Sequence, residues 1–352
     1  MNRLPRIGAA GLQGEDMGSG IYRPSRRTFL QVAAAGVLAP ALGARSVAAM
    51  EPTLTAPPQA SAALPEGFSI IDAHIHLWDL TEFPVPWIAG NPILDRSYVL
   101  QDYKDQSAGL GVDGIVYVQA AVADEYSLLE ADYIADLAAV EPLVQGMVAY
   151  APLEYGNRVR VYLDSLMTRG PVIKGIRRGL PDPADSNFDM DRFIQGIQIL
   201  PEYGLSFDIL GKGTPHLAMA IAIAQRAADT SLILDHLLKP DIKQHTLDPW
   251  RAQMTQLASF PNVYTKISGI ATEADLMNWT ADDLKPYVDH ALSVFGEDRV
   301  VFGGDWPPLL TANSTYARWV ETLDDLTADM GPVGQRKLFG DNARSFYRLP
   351  AA

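Results

Sequence analysis

The chain has 352 residues, of which 48% are hydrophobic and 20% charged, an ordinary composition for a globular protein with a substantial core. It contains no cysteine, which excludes disulfides, thiolate nucleophiles and cysteine-based metal sites. The formal net charge of -14 at pH 7 disfavours nucleic acid and anionic membrane surfaces as partners, because both would repel it.

The N-terminal region has the three parts of an export signal. Residues 25–31 read SRRTFLQ, a twin-arginine pattern; an apolar, alanine-rich run follows, and small residues occupy 46–49. This order is typical of a signal peptide rather than an ordinary first helix, and the apolar run is too short for a comfortable membrane span. We predict a twin-arginine signal peptide over 1–49, export by the twin-arginine machinery, a periplasmic location and no stable membrane anchor. A flexible lead-in over 50–66 then precedes a single domain over 67–350.

From residue 69 onward, short β-branched runs alternate with amphipathic stretches at helical spacing. Eight runs are predicted strands: 69–77, 112–120, 144–153, 172–180, 205–211, 231–239, 262–270 and 299–307. Eight strand–helix units in one domain are the pattern of an α/β protein, a (β/α)8 TIM barrel. An open doubly wound sheet is the alternative, and the even count disfavours it only mildly.

Two connecting segments have predicted positions around this barrel. The longest connection follows the first strand, contains Pro86-Trp87, and is expected to lie over the barrel mouth as a partial lid. The segment 331–349 is expected to form a last helix on the outside of the barrel.

The first strand carries a His-x-His pair. Residues two apart on a strand face the same side, so His74 and His76 are expected on one wall, with Asp72 deeper on that wall. Apolar residues such as Ile71 and Ala73 are then expected to face the helices. An isolated pair of this kind is as often two satisfied core histidines as a functional site.

Polar residues recur where the predicted strands end, which is the active-site face of such barrels. The ends carry His74 and His76, Gln119, Lys174 with Arg177 and Arg178, Asp208 followed by His216, Asp235 with His236, Lys266 with Ser268, and Asp305 with Trp306. Random placement would scatter these groups over both ends of the barrel. This convergence is stronger evidence for a site than any single motif.

The residue types in this ring suggest hydrolysis. Asp305 is the predicted general base that takes a proton from water. His74, His76 and His236 are predicted to polarise a carbonyl, either directly or through a metal held by these histidines and Asp305, since imidazole and carboxylate suit Zn²⁺. The residues predicted to bind substrate are Lys174, Arg177, Arg178, Trp78, Asp208, His216 and Trp306. The sequence does not decide whether a metal is bound, nor which oligomer forms.

Taken together, these sequence motifs resemble those of a known family. The chain resembles the amidohydrolase superfamily, and within it the amidohydrolase-2 branch that includes fuconolactonase-like, rhamnonolactonase-like and pyrone-dicarboxylate lactonase-like enzymes. The motifs that carry the resemblance are IDAHIHLWD (71–79), Pro86-Trp87, VQA (118–120), KGIRRGL (174–180), LSFDIL (205–210), LDHLLKP (234–240), NVYTKISGI (262–270) and VFGGDWP (301–307). They occur in the expected order over residues 69–308, which makes the match specific.

The resemblance implies a barrel hydrolase that opens a lactone, with Asp305 activating water, His74, His76 and His236 at the carbonyl, and Arg177 binding the substrate. Metal-dependent members usually carry a histidine at the end of strand 5, where this chain has Asp208-Ile209-Leu210. The incomplete set resembles lactonases without an obligatory metal, so none is expected to be required and at most one divalent ion, such as zinc, is expected to bind. The Arg177-Arg178 pair favours an anionic sugar-acid or pyrone-type lactone.

Two other functions stay open on the sequence. One is a divalent-metal amidohydrolase or decarboxylase of the same superfamily, with His74, His76, His236 and Asp305 as ligands. The other is a periplasmic protein that binds a sugar acid without catalysis. The full set of His-x-His, His236 and Asp305 argues against the second.

Overall fold

Each predicted strand run contains a strand of the structure, a computed structural model that describes residues 69–350. The predicted signal peptide and the lead-in lie outside the described residues. The strands are β1 (Ile70–Ile75), β2 (Val112–Val118), β3 (Val144–Ala149), β4 (Ile173–Arg177), β5 (Ser206–Ile209), β6 (Leu232–Leu234), β7 (Val263–Ile267) and β8 (Val300–Phe302). Every strand runs parallel to the next in chain order, so they form a nearly closed (β/α)8 barrel, as predicted.

The barrel closes through backbone contacts between the last residues of β1, with His76 just after it, and the residues that follow β8. The amide of Asp305 donates to the carbonyl of His74 at 2.7 Å, and the amide of His76 donates to the carbonyl of Trp306 at 2.7 Å. These residues belong to the predicted site. Barrel closure and site assembly therefore use the same backbone atoms.

Within residues 69–350, eight α-helices follow the strands around the outside of the barrel, and two six-residue α-helices come after them. They are α1 (Leu100–Ser107), α2 (Ser127–Val140), α3 (Val159–Met167), α4 (Met190–Ile199), α5 (Gly213–Arg226), α6 (Trp250–Ala258), α7 (Ala281–Phe295), α8 (Tyr316–Leu326), α9 (Gly331–Arg336) and α10 (Asn342–Tyr347). No helix within residues 69–350 is long and apolar enough to cross a membrane.

Helix α4 illustrates how local sequence sets these elements. The Asp189 side chain accepts a hydrogen bond from the amide of Arg192 at 3.0 Å, which satisfies one of the free donors at the helix start. Phe193 and Ile197, one turn apart, are fully buried. A side chain at Gly196 would overlap the Leu153 carbonyl, so glycine lets α4 pack closely on the preceding segment.

Strand β1 contains a bulge that changes which side chains enter the barrel. Asp72 pairs with Ile115 and Ile75 with Tyr117. Between these two pairs β1 contains one residue more than β2. The extra residue breaks the simple alternation. The prediction that Asp72 shares the histidine wall is wrong: its carboxylate contacts Tyr103 of α1 and Tyr316 of α8.

The same bulge corrects the predicted positions of Ile71 and Ala73. They were expected to face the helices, but they pack with Val116 and Val301 of other strands in a separate buried cluster. One inserted residue reverses the face of the sheet to which the side chains on one side of the insertion point.

The C-terminal segment covers this inner cluster rather than the outside of the barrel, which corrects the prediction for 331–349. It divides into α9 and α10, joined by a π-helical turn over Lys337–Asp341. Phe346 and Tyr347 of α10 pack with Ile71 and Val301 inside the barrel. The apolar lower half of the barrel needs a cover, and α10 supplies it; this end of the barrel is called the floor below.

The connection after β1 is fastened at the opposite end, beside β2. Trp87 donates from its indole nitrogen to the Ala120 carbonyl at 2.7 Å, and the Ala123 amide donates to the Pro84 carbonyl at 3.3 Å. The residues it contacts follow the end of β2. The connection therefore lies on the mouth side, where the lid was expected.

We expect Phe346→Ala to lower the free energy of unfolding by about 3–5 kcal/mol, because it leaves a cavity at the floor. Denaturant unfolding of the purified protein measures this change. Val333→Ala, in the same segment but 56% exposed, is the control and should change stability by about 0.5 kcal/mol or less. Equal effects of the two substitutions would show that α10 does not seal the barrel.

Candidate active site

Four predicted residues meet around one oxygen atom. Asp305 Oδ1 lies 3.6 Å from His76 Nε2, 3.8 Å from His74 Nε2 and 3.9 Å from His236 Nε2. All four side chains are buried. The structure thus brings one carboxylate and three imidazoles from β1, β6 and β8 into a single group at the mouth.

Unusual backbone conformations present two of these side chains. His236 has φ of 53° and begins a run of four residues, through Lys239, with φ of 52–53°. Asp305 has φ of 49°. A left-handed residue other than glycine costs roughly 1–2 kcal/mol. Strain of this kind concentrates at functional sites, where the surrounding structure must hold it.

Hydrogen bonds to the second ring nitrogen orient the histidines. His76 Nδ1 lies 2.7 Å from the Val118 carbonyl, and His236 Nδ1 lies 3.1 Å from the Ser268 carbonyl and 2.9 Å from its hydroxyl. A carbonyl can only accept, so Nδ1 carries the proton in both rings. Each Nε2 therefore presents a lone pair toward Asp305.

His74 is held by charged groups instead. Arg177 donates to its Nε2 at 3.3 Å, so the Nδ1 proton faces the Asp235 carboxylate at 3.3 Å. The Lys266 ammonium lies 3.2 Å from the same Nδ1. Burial lowers the pKa of His74 well below its usual value, although Asp235 acts in the opposite direction.

The protonation states of the group follow from burial and proximity. Burial lowers the pKa of His236 to about 4 and also lowers the pKa of His76. Burial alone would raise the pKa of Asp305, but His236, His76 and His74 hold it well below its usual value. At neutral pH the group is one carboxylate facing three neutral imidazoles, which suits a proton acceptor or a metal ligand set.

A buried charge network supports His74 from below. Lys266 Nζ lies 2.6 Å from Asp208 Oδ2 and 3.0 Å from Asp235 Oδ1. Asp208 also accepts a hydrogen bond from the Tyr347 hydroxyl at 2.6 Å. Burial raises the pKa of Asp208 to about 6, against the attraction of Lys266. The network runs from the floor helix α10 up to the histidine group.

Sequence reasoning placed Lys266 and Asp235 among the polar groups at the strand ends but gave them no specific role, and it gave Tyr347 none. A lysine inside an otherwise apolar strand is rarely buried without an acidic partner, so Lys266 did carry a signal. The role of Tyr347 depended on the path of the C-terminal segment, which the sequence pattern placed on the wrong side.

Arg177 lies inside the site, at the end of β4. Its guanidinium donates to the Gln119 carbonyl as well as to His74, and it lies 3.6 Å from Asp235 Oδ2. It is the predicted substrate-binding cation that the structure brings to the histidine group.

The other two predicted cations do not reach the histidine group. Lys174 donates to the carbonyl of Arg348 at 3.2 Å, at the floor, so its prediction as a substrate ligand is wrong: it precedes the strand end by three residues. Arg178 lies at the mouth but is paired with Glu154 at 3.2 Å.

Four further predicted substrate contacts are also engaged elsewhere. Asp208 lies below His74 in the charge network. His216 has its two ring nitrogens 2.8 Å from the Lys212 carbonyl and 3.0 Å from the Pro181 carbonyl. Trp78 and Trp306 are fully buried, and each packs edge-on against Tyr98, with ring centroids 5.5 and 5.2 Å apart. The two indoles thus belong to the packing behind the site.

The residues fit a divalent metal. Among residues 69–350, one group of three or more potential ligands lies close enough to share an ion: His74, His236 and Asp305, with ligand atoms within 4.8 Å of one another. Neutral imidazole and carboxylate are zinc ligands, and oriented Nδ1 protons are typical of ligating histidines.

Gly269 allows a test of how closely the backbone packs against Asp305 and His236. It has φ of 61°, and a Cβ there would overlap Asp305 Oδ2 and lie 2.8 Å from His236 Nδ1. We expect Gly269→Ala to displace the Asp305 carboxylate and to destabilise the protein more than the backbone cost alone. Thermal unfolding and a crystal structure of the variant measure both effects.

The matched control is Gly204→Ala. Gly204 is also left-handed, with φ of 70°, but a Cβ there meets nothing within 4 Å. It therefore reports the backbone cost of about 1–2 kcal/mol without a steric conflict. Equal stability losses and an unmoved Asp305 would contradict the close contact at Gly269.

Comparison with known proteins shows the family to which this chain belongs. The profile of a family described as amidohydrolase matches residues 71–349. L-fucono-1,5-lactonase of Burkholderia ambifaria is 31% identical over 289 residues, covering 79% of this chain and 95% of the relative. L-rhamnono-gamma-lactonase of Scheffersomyces stipitis is 23% identical, covering 80% and 99%. The structure of a Burkholderia multivorans amidohydrolase with bound zinc has 28% identity and a TM-score of 0.71, covering 80% and 99%. The predicted resemblance is confirmed, and the chain belongs to the amidohydrolase family.

Proposed function

We propose that the protein hydrolyses a lactone, with Asp305 as the base that activates water. The observation that carries the proposal is the ionised Asp305 carboxylate facing three neutral imidazoles at the barrel mouth. The lactonases among the relatives support the same reaction class. The carboxylate of this group can take a proton from water, and the adjacent Arg177 can stabilise an oxyanion on the same small molecule.

The proposed reaction has two proton transfers through Asp305. Water attacks the lactone carbonyl carbon while Asp305 takes one of its protons, and the carbonyl oxygen becomes an oxyanion. The Arg177 guanidinium, which lies beside His74, stabilises that charge. When the intermediate collapses, the ring C–O bond breaks and the leaving oxygen takes the proton back from Asp305. The product is an open-chain hydroxy acid.

A divalent metal would be held by His74, His236 and Asp305, with His76 facing the same carboxylate oxygen, and His74 Nε2 would give up its hydrogen bond from Arg177 to the ion. When bound, it would act as a Lewis acid at the carbonyl. Arg177 places a fixed positive charge beside His74 in any case. We therefore propose that a metal is accommodated but not required.

The substrate we infer is a neutral sugar-acid lactone. The sequence favoured an anionic one because of its basic residues, but Lys174 lies at the floor and Arg178 is paired with Glu154. At the rim, Lys212 and Lys239 lie 2.5 and 3.6 Å from Glu273. These cations already have acidic partners, so they do not form an anchor for a second carboxylate.

The proposed place of action is the periplasm. The twin-arginine pattern at residues 25–31 supports export, and the small residues at 46–49 support removal of the leader. A lactone reaching the enzyme there would come from outside the cell or from periplasmic oxidation of a sugar.

A lactone panel with a pH-indicator readout tests the proposal. We expect turnover of neutral sugar 1,4- or 1,5-lactones and a much lower kcat/KM for 2-pyrone-4,6-dicarboxylate. Asp305→Asn keeps the shape but removes the base, and should lower kcat by at least about 10²–10⁴-fold. Circular dichroism checks that the variant is folded.

Two results would count against this function. Turnover largely retained by Asp305→Asn would remove the assigned base. Lactone or sugar-acid binding without turnover, and unchanged in Asp305→Asn, would favour a non-catalytic binder instead.

The second candidate is a metal-dependent amidohydrolase or decarboxylase, favoured by the ligand group of His74, His236 and Asp305. Dialysis against a chelator, with metal content measured before and after, separates the two. We expect most lactonase activity to survive removal of the metal, because Arg177 remains in the site. Loss of activity that added Zn²⁺ restores would favour the metal-dependent enzyme.

A further inference from the structure

A buried carboxylate behind the barrel wall has no part in the proposed chemistry. Asp72 is fully buried, and its Oδ2 accepts hydrogen bonds from the hydroxyls of Tyr103 at 2.9 Å and Tyr316 at 2.8 Å. These tyrosines come from α1 and α8, and their hydroxyls lie 3.0 Å apart. Asp72 therefore joins two outer helices to the inner barrel.

The other oxygen of Asp72 holds the backbone of the site. Oδ1 accepts from the amide of His74 at 3.1 Å and from the amide of Gly304 at 2.8 Å. His74 belongs to the His-x-His pair, and Gly304 directly precedes Asp305. One carboxylate thus binds the two chain segments that present the histidines of β1 and the acid of β8.

The geometry around Asp72 leaves little room for movement. Its four donors use the acceptor positions of a carboxylate, two on each oxygen. A Cβ at Gly304 would lie 2.5 Å from Asp72 Oδ2 and 2.5 Å from the Tyr316 ring. Asp72 and the tyrosines therefore hold the separation of the two segments together with the backbone hydrogen bonds from Asp305 to His74 and from His76 to Trp306.

The charge state of Asp72 is compatible with this arrangement. Burial raises the pKa of Asp72 to about 6, although the bonds from Gly304, His74, Tyr316 and Tyr103 all favour the ionised form. At neutral pH the group is mainly a carboxylate and can accept all four bonds. The groups packed on it are the two tyrosines and backbone amides, with no basic side chain among its hydrogen-bond donors.

We infer that Asp72 is a positioning residue: with Tyr103 and Tyr316, it adjusts the distance between the β1 histidines and Asp305 beyond what the backbone hydrogen bonds between β1 and β8 provide. The inference rests on the proposed lactone hydrolysis for its kinetic test. Because misplacement of reacting groups by about 1 Å can cost about 10²-fold in rate, this spacing controls kcat more than substrate affinity.

The variants Tyr103→Phe, Tyr316→Phe and Asp72→Asn test the inference. Each tyrosine change removes one hydroxyl and should lower kcat by about tenfold with little change in KM, and Asp72→Asn should lower it by about 100-fold. Tyr287→Phe is the matched control. Tyr287 is buried and its hydroxyl donates to the carbonyls of Asp241 and Thr246 at 3.3 Å, outside the site, so kcat should be unchanged.

The double variant Asp72→Asn/Tyr316→Phe separates positioning from general destabilisation. If Tyr316 acts through Asp72, the second change should add little to the loss of kcat. Additive losses in log kcat, or lowered melting temperatures with wild-type kcat, would overturn the inference. If Asp72→Asn does not fold, the two tyrosine variants decide it through the same comparison with Tyr287→Phe.

A structural readout keeps this inference separate from the proposed function. If the wild-type protein hydrolyses no lactone, the proposed function fails, and crystal structures of Tyr316→Phe and Asp72→Asn then decide the inference. A widened separation between Asp305 Oδ1 and His74 Nε2, 3.8 Å in the present structure, would support it. An unchanged separation would overturn it.

Discussion

The structure depends on the backbone pairing that joins the first strand to the last. The Asp305 amide bonds to the His74 carbonyl, and the His76 amide bonds to the Trp306 carbonyl. A barrel can close with many residue types at this point. Here it closes with the proposed base and two imidazoles, so the same interaction that removes the exposed sheet edges also assembles the candidate site.

Burial of the site keeps its groups in the protonation states that the chemistry needs, but it also costs stability. Taking the imidazoles out of water keeps them neutral, while the carboxylate stays charged among them. A buried charge without partners costs several kcal/mol, so the ions below it must be matched. Lys266, Asp208 and Asp235 provide that match, and Tyr347 completes it from the floor. The polar centre is stable because opposite charges alternate along its length.

The sequence was sufficient to predict the strands and their parallel order, because strand periodicity and barrel topology determine them. The same topology predicted that His74, His76, His236 and Asp305 meet. It was insufficient where one residue changes a register. The bulge in β1 moves Asp72 to the helix side, and no composition signal marks it. Lys174 was misplaced because strand ends cannot be located to within three residues from pattern alone. Sequence pattern does not distinguish side chains that pack behind the site, such as Trp306, from side chains that line it.

The floor contact has a consequence for how the chain matures. Tyr347 follows all eight strands in the sequence, yet its hydroxyl completes the hydrogen bonding of Asp208 deep inside the barrel. During synthesis, every strand can emerge before this partner is made. Until α10 docks, Asp208 lacks this hydrogen bond, although Lys266 is already available to pair with it. The buried charge network is therefore completed by an element that follows the whole barrel in the sequence.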